Sequence, residues 1–141
     1  MSRVINPNSA GKQRTKLIRM IALAVRELLR QPEPNDETRD LAIFIALSLD
    51  AIDETINPSV EAWEKRGYWV KADRFRMGWR WAKKYANEMR EALFVGDWGA
   101  VAMCAVKIAQ QPKIADVTIS PRHRMGHPWT GAWDRYRSPN A

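Results

Sequence analysis

From residue 17 onward, apolar side chains recur three and four positions apart. Leu17, Ile18, Ile21, Ala24, Val25, Leu28 and Leu29 share one stripe, with Lys16, Arg19, Arg26 and Arg30 off it. That period predicts an amphipathic first helix, ended by Pro32 and Pro34. Asn35 is a candidate N-cap for a second helix, with Asp36 and Glu37 where the helix dipole favours anions. The run Leu41 to Leu49 is apolar nearly all round and marks the helix most enclosed by the others. After it Ile52 and Ile56 stay inward, while Asp50, Asp53 and Glu54 gather on the other side. Asn57-Pro58-Ser59 reads as the next turn.

A third helix is predicted over about residues 59–95, ended by Gly96 in the left-handed conformation, with Asp97 capping a fourth. Its main stripe is Ala72, Phe75, Trp79, Ala82, Ala86, Met89 and Leu93, and a second line holds Trp63, Val70, Met77 and Trp81. At 1.5 Å per residue it would span about 55 Å, against about 25 Å and 30 Å for the first two. It must break, with Gly67 and Gly78 as candidates, or overhang the bundle. An overhang carrying tryptophan needs burial, which predicts a homodimer through Trp63, Trp69, Trp79 and Trp81. Trp98, Val101, Ala102, Ala105, Ile108 and Ala109 form the face of the fourth helix, stopped by Pro112. Residues 114–119 read as a short strand or extended strap. Trp129, Trp133 and Tyr136 suggest one docked helical turn in the tail.

The fold class is therefore all-α: an up-and-down bundle of four helices with a long central third helix and extended basic termini. Residues 1–13 form a flexible N-terminal arm, 14–111 the bundle and 112–141 an extended basic and aromatic tail. Hydrophobic residues at 45% and charged ones at 28% are globular values, and one cysteine, Cys104, excludes an internal disulfide. No run of about 18 apolar residues and no apolar leader is present, which predicts a cytoplasmic protein without a membrane role.

Charge sharpens the picture. The net charge is +7, but residues 1–31 carry +6, residues 32–64 carry −8 and residues 65–90 carry +7. Such clustering points to an anionic partner, nucleic acid or a phospholipid surface. Arg66, Arg76, Arg80, Lys83, Lys84 and Arg90 would form a ridge along the third helix, assisted by Lys12, Arg14, Arg122 and Arg124. A basic ridge tracks phosphates by counterion release, and no base-reading motif accompanies it. The bland alternative is a solvated face paired with acids of the second helix. Arg74 falls in the apolar arc of the same wheel, so a buried ion pair with Asp50, Asp53 or Glu54 is expected.

Enzyme signatures are sparse. Glu61-x-x-Glu64 and Glu88-x-x-Glu91 resemble the paired carboxylates with which all-α nucleotide pyrophosphohydrolases hold magnesium. On one continuous helix, however, the two pairs point in different directions. His123 and His127 lie among glycine and prolines that oppose a helical metal site. No catalytic residue, metal ligand or cofactor is assigned. The expected function is a non-enzymatic, sequence-indifferent nucleic-acid-backbone-binding or accessory subunit, whose partner is nucleic acid or an acidic protein. The alternatives are a structural homodimer or protein–protein adaptor and, behind it, a metal-dependent all-α nucleotide hydrolase.

Overall fold

A computed structural model describes residues 7–118 and 126–138. These residues are all-α: α1 (Pro7–Arg30), α2 (Asp36–Lys65), α3 (Trp69–Gly78), α4 (Arg80–Phe94), α5 (Trp98–Ala109), α6 (Pro112–Ala115) and α7 (Ala132–Arg137). Among them no helix is long and apolar enough to cross a membrane.

α2 is the central element, packed against α1, α3, α4 and α7. Leu41, Ile43, Ile45, Leu49, Ile52 and Val60 are fully buried along it. Each such side chain contributes roughly 1.5–3 kcal/mol by leaving water. Ile21 and Val25 of α1, Met89 of α4 and Val101 and Ile108 of α5 close the same core. Asn35 caps α2 reciprocally: its Oδ1 accepts from the Thr38 amide at 2.9 Å, and Thr38 Oγ1 accepts from the Asn35 amide at 3.2 Å.

The expected third helix is three pieces. Pro58 does not end α2, which continues to Lys65. A proline inside a helix removes one backbone bond and loosens its turn. Here the Thr55 carbonyl accepts Arg14 Nη1 at 3.2 Å, and Thr55, Ile56, Ser59 and Val60 are buried around the proline. Tertiary packing of this flank holds the helix through it.

The chain does break at both glycines. Gly67 (φ 81°) closes α2 with its amide on Glu64 O at 3.0 Å and the Tyr68 amide on Trp63 O at 2.9 Å. This is a Schellman stop, open to glycine because it lacks a Cβ. The same bonds recur at Gly96 and Asp97 after α4, and Asp97 then caps α5 through the Ala100 amide at 3.0 Å. Between α3 and α4, after Gly78, Trp79 leaves the helical region (φ −111°, ψ 2°).

Both ends also depart from expectation. Pro7 starts α1 and Ala10 is fully buried, so residues 7–13 are helix rather than arm. Proline is preorganised for a first helical position, and Ala10 gives that turn something to bury. Pro112 likewise opens α6, with Ile114 buried, where a strand or strap was expected. In the tail, Asp40 accepts the Gly131 and Trp133 amides, each at 2.9 Å, and fixes the start of α7. Trp129 is 1% exposed and donates Nε1 to Glu37 at 3.3 Å.

A cationic groove as the candidate site

The predicted ridge survives only in part as a free surface. Arg90, on α4, places Nη1 2.7 Å from Asp50 of α2, and Lys83 reaches the same carboxylate at 3.2 Å. Burial works to raise the Asp50 carboxyl, but hydrogen bonds and charge from Arg90 and Lys83 outweigh it and hold the group below its ordinary value. Arg76 pairs with Glu64 at 3.2 Å, and Lys84 lies 5.7 Å from the Tyr85 ring centre. Arg66 and Arg80 are exposed. Arg122 and Arg124 lie outside the described residues.

The expected partner of Arg74 is also corrected. Arg74 is exposed and forms none of the ion pairs among the described residues. Its wheel position assumed one straight helix through residue 74, and the break at Gly67 turns it outward. Asp50 is taken by α4 instead, while Asp53 and Glu54 enter no ion pair among the described residues.

Of the four tryptophans expected between subunits, Trp79 is 4% exposed within one chain and stacks on Trp81 at 5.7 Å. Trp63 meets Phe75 edge-on at 4.8 Å. Only Trp69, 62% exposed, stands clear of the bundle.

Positive charge also converges elsewhere. An open groove of about 790 Å³ is lined by Gly11, Lys12, Arg14, Thr15 and Ile18 of α1, Phe75 and Trp79, and Lys113 of α6. Its lining holds three cations and no carboxylate. Arg14 is anchored by Nη1 to the Thr55 carbonyl and to Thr55 Oγ1 at 3.0 Å. Its guanidinium carbon lies 4.9 Å from the Phe75 ring centre and 5.5 Å from that of Trp79. Lys113 Nζ sits 4.4 Å from the Trp79 ring centre. Burial lowers the Arg14 pKa from its ordinary value, yet an arginine remains protonated at any physiological pH.

Aromatic rings attract these cations and fix their positions without neutralising them. Such a groove can hold an oxyanion. It cannot stack a base on Trp79, whose ring is already covered.

The sequence reading named Lys12 and Arg14 but missed Lys113, Thr15 and Phe75 as members of one site. Pro112 as a first helical position was the available local signal, because it turns Lys113 from a loop residue into a placed one.

Catalytic chemistry finds less support. Glu61 and Glu64 lie on α2, Glu88 and Glu91 on α4, and no cluster of three or more His, Cys, Asp or Glu among the described residues is placed to hold a metal ion. Glu64 is paired with Arg76, and Glu88 with Lys107 at 3.0 Å. Cys104 is buried, and its thiol is pushed up to about 12 by burial and then by Glu88. A thiol so shifted is a poor nucleophile at neutral pH. Comparison with known protein families, with characterised proteins and with solved structures gives no match.

Proposed function

We propose that this chain is a non-enzymatic binding module that takes the phosphate backbone of a nucleic acid into the groove between α1, Trp79 and α6, without reading bases. One observation carries the reading: Lys12, Arg14 and Lys113 converge on a groove whose lining contains no carboxylate. Of the six predicted ridge cations, by contrast, Arg76, Lys83 and Arg90 are held by Glu64 and Asp50. Phosphate neutralisation releases counterions and needs no base contact. With Trp79 already covered, stacking would add little, so the module would be indifferent to sequence. As an accessory subunit it would supply affinity rather than chemistry.

The test is a fluorescence-anisotropy titration with single-stranded DNA, duplex DNA and RNA at several salt concentrations. If about three phosphates of a duplex are neutralised, log affinity falls against log salt with a slope near −2.7. The double reversal Lys12→Glu and Lys113→Glu should weaken binding and flatten that slope, with helical content unchanged. Absence of binding at low salt, or binding that the double reversal leaves intact, refutes the reading.

A further inference from the structure

The fold does not explain Gly11. It lies inside α1, where glycine is less favourable than alanine. Its φ is not positive, and a Cβ there would meet only Arg14 Nη2, at an ordinary contact distance of 4.0 Å. Neither backbone strain nor crowding within the chain calls for glycine at this position. What the missing Cβ leaves open is the space beside Nη2, on the wall of the cationic groove. Glycine serves where a ligand must come close to the backbone.

Arg14 presents that nitrogen to the same space. Nη1 makes both anchoring bonds, to the Thr55 carbonyl at 3.2 Å and to Thr55 Oγ1 at 3.0 Å. Nη2 donates to no acceptor among the described residues. Arg14 is half-buried, whereas Lys12 and Lys113 are exposed. The Arg14 guanidinium carbon and Lys113 Nζ lie 5.5 Å and 4.4 Å from the Trp79 ring centre, so the two charges are within about 10 Å of each other. The groove therefore has one fixed, recessed guanidinium and two ammonium groups on flexible stems.

Such a set discriminates between kinds of phosphate. An internal diester carries one charge and two unesterified oxygens, with a sugar on either side. A terminal monoester carries about −1.5 to −2 at neutral pH and three unesterified oxygens, with a sugar on one side only. The group with a single substituent reaches a recessed donor more easily, and three cationic groups suit three oxygens. With its adjoining diester, a strand end brings about three negative charges to three cations.

We propose that the groove is a socket for the terminal phosphate of a nucleic-acid strand. Arg14 Nη2 is its recessed donor, Lys12 and Lys113 close on the phosphate from the exposed side, and Gly11 leaves the oxygens room. This rests on the reading that the groove takes nucleic-acid phosphate, and it names which phosphate enters. Gly11→Ala then acts in opposite directions, making α1 more stable and the socket worse.

The experiment is a fluorescence-anisotropy titration of the full chain at low salt with short single strands labelled on a mid-strand base. The strands carry a phosphate at the 5′ end, at the 3′ end or at neither. A terminal phosphate should tighten binding about tenfold or more, the effect of added charge-assisted hydrogen bonds. The end that gives the gain identifies which monoester is the ligand. Inorganic phosphate at constant ionic strength should displace the phosphorylated strand more readily than the hydroxyl-ended one.

Gly11→Ala should weaken the preference and Gly11→Leu abolish it, with helical content by circular dichroism retained in both. Arg14→Lys, which keeps the charge and loses the guanidinium fork, should abolish it too. If no strand binds at low salt, the backbone reading and the socket fall together. If strands bind equally with and without a terminal phosphate, the backbone reading stands and the socket is refuted. A preference that Gly11→Leu leaves intact refutes the socket as well.

Discussion

Removing Arg90 tests how α4 is tied to the central helix. Asp50 accepts Arg90 Nη1 at 2.7 Å and, more weakly, Nη2 at 3.4 Å, with Lys83 at 3.2 Å on the same carboxylate. The Asp50 and Arg90 side chains are 24% and 18% exposed, whereas Lys83 is 52% exposed. Breaking a fully buried pair costs about 3–5 kcal/mol, and an exposed one about 0–1 kcal/mol. A short charge-assisted bond with about one-fifth exposure lies between, near the 1.5–3 kcal/mol of hydrogen bonds to charged groups. Arg90→Met should therefore destabilise by about 2 kcal/mol, lowering Tm by roughly 8 °C in a chain of this length.

A double-mutant cycle with Asp50→Asn, read by urea unfolding, should give a coupling of about 1–2 kcal/mol at neutral pH. The sign of its pH dependence follows from Asp50. Its folded pKa lies below the unfolded one, so the stabilisation is complete above the ordinary carboxyl value near ~3.9 and is lost as pH falls through the lower folded value. Arg74→Met is the control: exposed and outside the ion pairs, it should change stability by less than about 0.5 kcal/mol. A cycle coupling below about 0.3 kcal/mol at neutral pH, or one that grows on acidification, would refute the reasoning.

Two further outcomes follow from local geometry. Gly11 sits inside α1, and a Cβ there would meet only Arg14 Nη2, at 4.0 Å. Gly11→Ala should then stabilise by about 0.5–1 kcal/mol in urea unfolding, and no gain would mean that the first turns of α1 are not formed. With the Cys104 thiol pushed up to about 12, its thiolate fraction at neutral pH is on the order of 10⁻⁵. Native protein should thus resist iodoacetamide while urea-unfolded protein reacts, and equal rates in both states would contradict its burial.

Where one physical signal acted alone, the sequence was legible. The three-and-four spacing of Ile21, Ala24, Val25 and Leu28 located α1, and the nearly all-apolar run from Leu41 to Leu49 located the enclosed helix. Gly96 and Asp97 marked a stop and a start because a left-handed φ and a cap oxygen are local needs. The errors fall where local and tertiary terms compete. Pro58 carries a strong breaking signal, yet the buried flank of α2 outweighs it through packing outside the local window. Gly67 and Gly78 were weighed as alternatives to an overhang. The chain uses both, because α3 turns back on α2 to place Phe75 against Trp63.

Charge was legible as an amount and illegible as a location. A wheel tells which cations point away from the core, but whether they remain free is decided by carboxylates on the neighbouring helix. Lys83 and Arg90 look like one edge of a phosphate track until Asp50 is set between them. Lys12 and Lys113 come from opposite ends of the chain and become neighbours only when α6 packs on α1. No carboxylate of the acidic stretch 32–64 lines that groove. The acidic second helix thus pairs Lys83 and Arg90 of α4 and leaves unpaired the cations at the groove and on the outer side of α3. The +7 of the whole chain does not reveal that division. It follows from one break at Gly67, which turns Arg74 and Trp69 outward, and one carboxylate, Asp50, which claims Lys83 and Arg90 of α4.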